Sequence, residues 1–164
     1  MTSVEAAAGI RAITVREPWS SLIAAGVKTV ENRAQGTTHR GPVLIHTSLT
    51  PADPAVMGNP HIRRALADIA YEPNPGAVIA IADLVDVHLA EDVPTLDGSD
   101  GTCCQPWGQR WHGTRIIRTA RHLVLANVRR LPEPFETRGA LSVWTPPEHV
   151  TYLVNEQMAT AGAR

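Results

Sequence analysis

Residues Ala77 to Leu89 read AVIAIADLVDVHL, the longest apolar strand signal in the chain, with its polar members Asp83, Asp86 and His88 gathered at the far end. A run of this kind needs sheet neighbours for its backbone hydrogen bonds and an apolar layer to cover it. The neighbours are legible. Ile10 to Arg16 alternates, Pro42 to Thr47 (PVLIHT) is strongly β-favouring and expected to be central, and Lys28 to Arg33, Arg121 to Arg130 and Gly139 to Trp144 also read as strands. The prolines of Leu131 to Pro134 are expected to end the Arg121 strand. One helix is opened by Glu17-Pro18 and stopped at Gly26, with Leu22, Ile23 and Trp19 on its buried face; a second runs from His61 to Tyr71, with Ile62, Leu66 and Ile69 at helical spacing. Pro51 to Pro60 reads as irregular. Parallel crossovers would demand a helix between most strands, so the pattern favours an α+β chain: a small mixed β-barrel of five or six strands with helices packed beside it.

At 164 residues the chain suits one domain, expected over residues 10–147. The first nine residues are small and polar and are expected to fray. Residues 148–164 carry Val150, Leu153, Val154 and Met158 at helical spacing, a helical tail that docks on the barrel or on a protein partner. The chain is 43% hydrophobic and 19% charged. Its longest apolar run is shorter than the ~20 residues that span a bilayer, and the start MTSVEAAAG lacks the basic and apolar regions of a signal peptide, so a cytoplasmic protein with no membrane partner is expected. The adjacent Cys103 and Cys104 are expected to be free thiols, because a disulfide between neighbours is strained.

A net charge of −1 argues against coating nucleic acid by bulk electrostatics. The distribution is uneven all the same. Six acidic residues and no Lys or Arg fall between Asp83 and Asp100; six arginines and no carboxylate fall between Arg110 and Arg130. The arginines either form a phosphate-facing patch or face the acidic surface.

Among fifteen cationic residues Lys28 is the one lysine. An ammonium is compact and open to a lowered pKa on burial, whereas a guanidinium stays charged. In a regular strand Lys28, Val30 and Asn32 face one way and Thr29, Glu31 and Arg33 the other, unless a bulge intervenes. His46, among apolar neighbours, reads as a hydrogen-bonded interior residue. Glu91 to Thr114 is the longest stretch without periodicity and contains Trp107 and Trp111; these indoles either stack on bases beside Arg110 and Arg115 or pin the loop to the barrel. The seven histidines are scattered, no His-x-x-x-His, Cys-x-x-Cys or glycine-rich phosphate loop is present, and adjacent cysteines seldom chelate one ion, so neither metal nor cofactor is expected.

The blocks ITVREPWSSLIAAGVKTVENR, PVLIHTS, GAVIAIADLVDV, HLVLANVRRLPEP and RGALSVW resemble, in order and spacing, the ASCH (activating signal cointegrator homology) domain family, from about Ile10 to Pro146. Gly-x-Lys-Thr-x-Glu-x-Arg, Gly26 to Arg33, is the most specific of them. The resemblance implies a PUA-like β-barrel with a cleft between barrel and helices, and a role in binding RNA or another nucleic acid. It implies a chemical alternative too, since some small bacterial members are amidohydrolases on N-acetylated cytidine with a lysine, threonine and glutamate, and others are nucleases. The lysine falls on Lys28. The threonine falls on Glu31, with Thr29 close by, and Glu91 is the nearest candidate for the glutamate.

Two functions are therefore expected. In the first, single-stranded RNA or a modified nucleoside is bound, with Lys28, Arg33 and Arg16 on phosphate, Glu31 on a base edge, Trp19, Trp107 or Trp111 stacking, and Thr29 and Arg110 adding contacts. In the second, a metal-independent hydrolase uses Lys28 with Glu31 or Glu91. A salt-bridge ladder of Lys28, Glu31 and Arg33 that merely braces the strand is the structural alternative.

Overall fold

A computed structural model describes residues 9–113 and 115–162. The expected fraying of the first residues falls on 1–8, outside the described residues. In chain order the elements are β1 (Arg11–Val15), α1 (Trp19–Ala24), β2 (Val30–Arg33), β3 (Gly41–Thr47), α2 (Pro54–Gly58), α3 (Pro60–Asp68) and β4 (Ala77–Leu89). Then come β5 (Asp92–Pro94), β6 (Asp100–Thr102), β7 (Trp111–His112), β8 (Arg118–Thr119), β9 (Arg121–Glu136), β10 (Val143–Trp144) and α4 (Glu148–Gly162).

Six strands form one curled sheet, a half-barrel of order β10-β1-β3-β4-β9-β2, in which β1 and β3 are parallel and the other pairs antiparallel. The fold is thus α+β, as the strand spacing requires. The long apolar run is β4, held between β3 and β9 and buried from Ala77 to Ala82. Its inner face packs on Ile13, Val15, Ile45, Leu123 and the helix α1; Leu44, Val78 and Leu131 meet Val150 and Val154 of α4 on the other side. The tail helix is therefore docked on the sheet.

Several elements differ from expectation for identifiable reasons. β9 does not stop at Leu131: it continues through Pro132 and Pro134 to Glu136. Only Arg121 to Val124 have β2 on their outer side, so the later residues form an edge where a missing N–H is tolerated, and a register shift opposite Val78 and Ala80 takes up the irregularity. α2 occupies part of the supposedly irregular Pro51 to Pro60; Asp53 accepts from the Ala55 N–H at 2.8 Å and caps it. The stretch from Glu91 folds into two small hairpins, β5-β6 and β7-β8, whose strands are too short to show a period. The closing strand shrinks to Val143–Trp144.

Candidate functional site

The lysine is placed by the end of α1. Gly26 adopts φ +74, a left-handed conformation open to glycine, and the Val27 and Lys28 N–H groups both donate to the Leu22 carbonyl at 3.0 Å. Lys28 is thereby tucked beneath the helix, 3% exposed, and β2 begins only at Val30. Strand alternation does not reach it. Its Nζ donates to the Val30 carbonyl and to Glu31 Oε2 at 3.2 Å, so Lys28 and Glu31 meet although regular alternation separates them. Within β2 alternation holds: Val30 and Asn32 are buried, while Glu31 and Arg33 share the other face, with Arg33 Nε 3.2 Å from Glu31 Oε1. That contact is ionic without hydrogen-bond alignment, since the buried Nε has no hydrogen-bond partner among the described residues. Arg33 instead donates through a terminal nitrogen to the Thr14 carbonyl at 2.7 Å.

Lys28, Glu31, Asn32, Trp19, Trp107 and His112 line one cavity of about 500 Å³. Trp19 and Trp107 meet edge to face with centroids 6.4 Å apart, and Lys28 Nζ lies 5.8 Å from the Trp19 ring centre. The loop wall is held by Asn32. Its amide donates to the Trp107 carbonyl at 2.9 Å and accepts from the Gln109 N–H at 2.9 Å, while Trp107 Nε1 donates to the Val27 carbonyl at 2.9 Å. Burial holds the Lys28 ammonium below its ordinary pKa, an effect that Glu31 opposes and Arg33 adds to. Burial lowers His112 as well, and the Arg33 and Lys28 charges act in the same sense against Glu31. At neutral pH His112 is a neutral imidazole that can both donate and accept.

The sequence candidates divide accordingly. Lys28, Glu31, Trp19 and Trp107 converge on the cavity, and Arg33 stands behind Glu31. Arg16 and Thr29 are exposed and not among its lining residues. Arg110 is paired across the two charge blocks with Asp92 at 2.7 Å. Trp111 is 58% exposed outside the cavity, and the residue that enters it is the next in the chain, His112. Glu91 is exposed and does not reach the cavity, although its backbone N–H donates to Cys103 Sγ at 3.3 Å. Asn32 and His112 were not among the sequence candidates; the one signal for them was a polar residue in a strand otherwise facing inward and a histidine in the tryptophan loop.

Two further features stand apart. A cavity of about 720 Å³ between β1, β3 and the β9-β10 connection is lined by Thr14, His46 and Arg138. His46 there is buried and satisfied, with Nε2 2.9 Å from the Thr137 carbonyl and Nδ1 3.2 Å from Thr14 Oγ1. At the far end of β4, where the sequence spacing shows no metal motif, His88, Cys103, Cys104 and His122 bring four potential ligand atoms within 4.8 Å of one another.

No curated protein sequence matches the chain. Among solved structures, the fold is similar to that of the ASCH protein of Zymomonas mobilis: 18% identity over 89% of this chain and 94% of that one, with a TM-score of 0.51. A variant of that protein with phenylalanine in place of one tyrosine gives the same identity and score, with 96% of that chain covered. A second variant, with alanine in place of one serine, gives 17% identity, coverage of 92% of this chain and 97% of that one, and a score of 0.51. At such identity the likeness is one of fold. The ASCH domain family model matches residues 13–135, from β1 through the strand-helix-strand unit carrying Lys28 almost to the end of β9, and the chain belongs to the ASCH domain family.

Proposed function

We propose that the cavity binds a nucleoside unit presented by single-stranded RNA, the base stacking against the wall formed by Trp19 and Trp107 and its polar edge meeting Lys28, Glu31 and His112. The observation that carries this reading is the convergence of two indoles and an ammonium-carboxylate pair on one concavity of about 500 Å³. An indole face accepts any base, and stacking contributes about 1 to 3 kcal/mol per base. Glu31 retains acceptor capacity beyond its contacts with Lys28 and Arg33, and Lys28 has a third N–H beyond those given to Val30 and Glu31. Arg16, exposed and without an ion pair among the described residues, is available to phosphate.

The test is a titration of tryptophan fluorescence with nucleosides and short single-stranded RNA at several salt concentrations. Binding is expected to weaken with salt, and Trp107→Ala to weaken it about 5- to 150-fold, the equivalent of one lost stack. Unchanged affinity in Trp107→Ala, or no binding by the wild type, refutes the reading.

One observation favours a second reading, a small hydrolase: the ammonium depressed by burial lies against a carboxylate. In an amidase, Lys28 in its neutral form would take a proton from the attacking water and pass it to Glu31, 3.2 Å away, which would deliver it to the leaving amine. Incubation with N-acylated nucleosides and with RNA separates the two. Products that vanish in Lys28→Ala and Glu31→Ala establish hydrolysis, whereas a binder leaves both substrates intact.

A further inference from the structure

We propose that His88, Cys103, Cys104 and His122 bind one zinc ion, and that this ion clamps the tryptophan loop to the sheet. The ligands come from three places. His88 on β4 and His122 on β9 are cross-strand partners, their rings 5.3 Å apart at the centroids. The hairpin β5-β6 returns the chain so that Cys103 and Cys104 follow directly after β6. Cys104 has φ +62, a conformation unusual for a residue with a side chain, and the reversal brings two adjacent thiols toward one point.

The three sulfur-nitrogen contacts among these atoms have the length of a tetrahedral edge. Cys103 Sγ lies 3.3 Å from His122 Nδ1 and 3.6 Å from His88 Nε2, and Cys104 Sγ lies 3.4 Å from His88 Nε2. A sulfur about 2.3 Å and a nitrogen about 2.0 to 2.1 Å from zinc stand about 3.6 Å apart across a tetrahedral edge. Two thiolates with two imidazoles are a donor set suited to zinc, and oxygen-seeking magnesium or calcium is disfavoured there.

The surroundings are those of ligands rather than of free side chains. The remaining nitrogen of each imidazole is held: His88 Nδ1 is 2.6 Å from Asp86 Oδ2, and His122 Nε2 is 2.8 Å from the Gln109 carbonyl. Both partners fix the tautomer that leaves a lone pair on the nitrogen facing the sulfurs. The Glu91 N–H donates to Cys103 Sγ at 3.3 Å, a bond that stabilises a thiolate. Gly108 closes the loop against the cluster, since a Cβ there would overlap the Cys103 carbonyl and come within 2.8 Å of His122 Cε1. On binding, two S–Zn and two N–Zn bonds form and the two thiol protons pass to solvent; no redox change is involved. Because His122 holds Gln109 and Asn32 holds both Gln109 and Trp107, the ion stiffens the wall of the cavity.

The test uses the full chain, purified under reducing conditions, with metal content measured by mass spectrometry and zinc replaced by Co²⁺. One zinc per chain, thiolate-to-cobalt charge transfer and intense tetrahedral cobalt bands are expected, all lost in Cys103→Ser/Cys104→Ser and retained in the control His61→Ala. Asp86→Asn is expected to lower zinc affinity about 10- to 100-fold. The cysteine variant can fail to fold, so thiol reactivity is measured on the wild type as well: added zinc is expected to protect both thiols. Thiols that react equally with and without zinc, a cobalt spectrum lacking charge transfer, or stoichiometric zinc that survives loss of both cysteines overturns the proposal.

Discussion

Replacing Asn32 by alanine tests how the cavity is held together. The side chain is 6% exposed and makes two hydrogen bonds, giving to the Trp107 carbonyl and taking from the Gln109 N–H, each at 2.9 Å. A neutral hydrogen bond contributes about 1 kcal/mol net, so losing two removes about 2 kcal/mol. The orphaned groups add further cost only where water cannot reach them, and Gln109 is exposed, which keeps the total near that figure. For a domain of this size the melting temperature should fall by about 4 to 8 °C. Urea unfolding followed by circular dichroism measures the loss, and amide hydrogen exchange locates it in residues 103–112 rather than in β4. Asn32→Asp sharpens the test, because it can still accept from Gln109 but sets a carboxylate against the Trp107 carbonyl; at neutral pH it should cost at least as much as alanine. An Asn32→Ala stability within about 0.5 kcal/mol of wild type, with unchanged exchange in the loop, refutes the idea that this residue anchors the wall.

Lys28 gives a pH signature. Its folded pKa lies below 10.5, so between the folded value and 10.5 the unfolded chain holds more protons, and this residue's contribution to stability rises as pH increases across that window. Lys28→Met should flatten that rise in urea midpoints; parallel profiles for the two proteins would show that burial does not depress the ammonium. Gly108→Ala should destabilise by about 1 to 3 kcal/mol through the overlap with Cys103 and His122 and weaken zinc binding together with stability, which calorimetry and metal titration check.

The sequence by itself determined what local physics controls. Alternation placed β1, continuous β-favouring apolar runs placed β3 and β4, helical spacing placed α3 and α4, Gly26 stopped α1, and the unlike chemistry of ammonium and guanidinium singled out Lys28. From these followed the α+β class, a mixed barrel-like sheet of five or six strands, and the block that carries Lys28. Tertiary structure decided the rest, because it depends on which strands lie side by side. Lys28 meets Glu31 because it precedes β2 and escapes its alternation, Asn32 reaches residues more than seventy positions away, and Glu91 and Trp111 are carried away from the cavity by hairpins too short to show a pattern. The four-ligand cluster is the plainest case. His88 and His122 lie far apart in sequence and become neighbours only through the β4-β9 register, and a single left-handed residue turns Cys104 to join them. Pairing between distant strands is set by burial of the whole sheet, and no spacing along the chain encodes it.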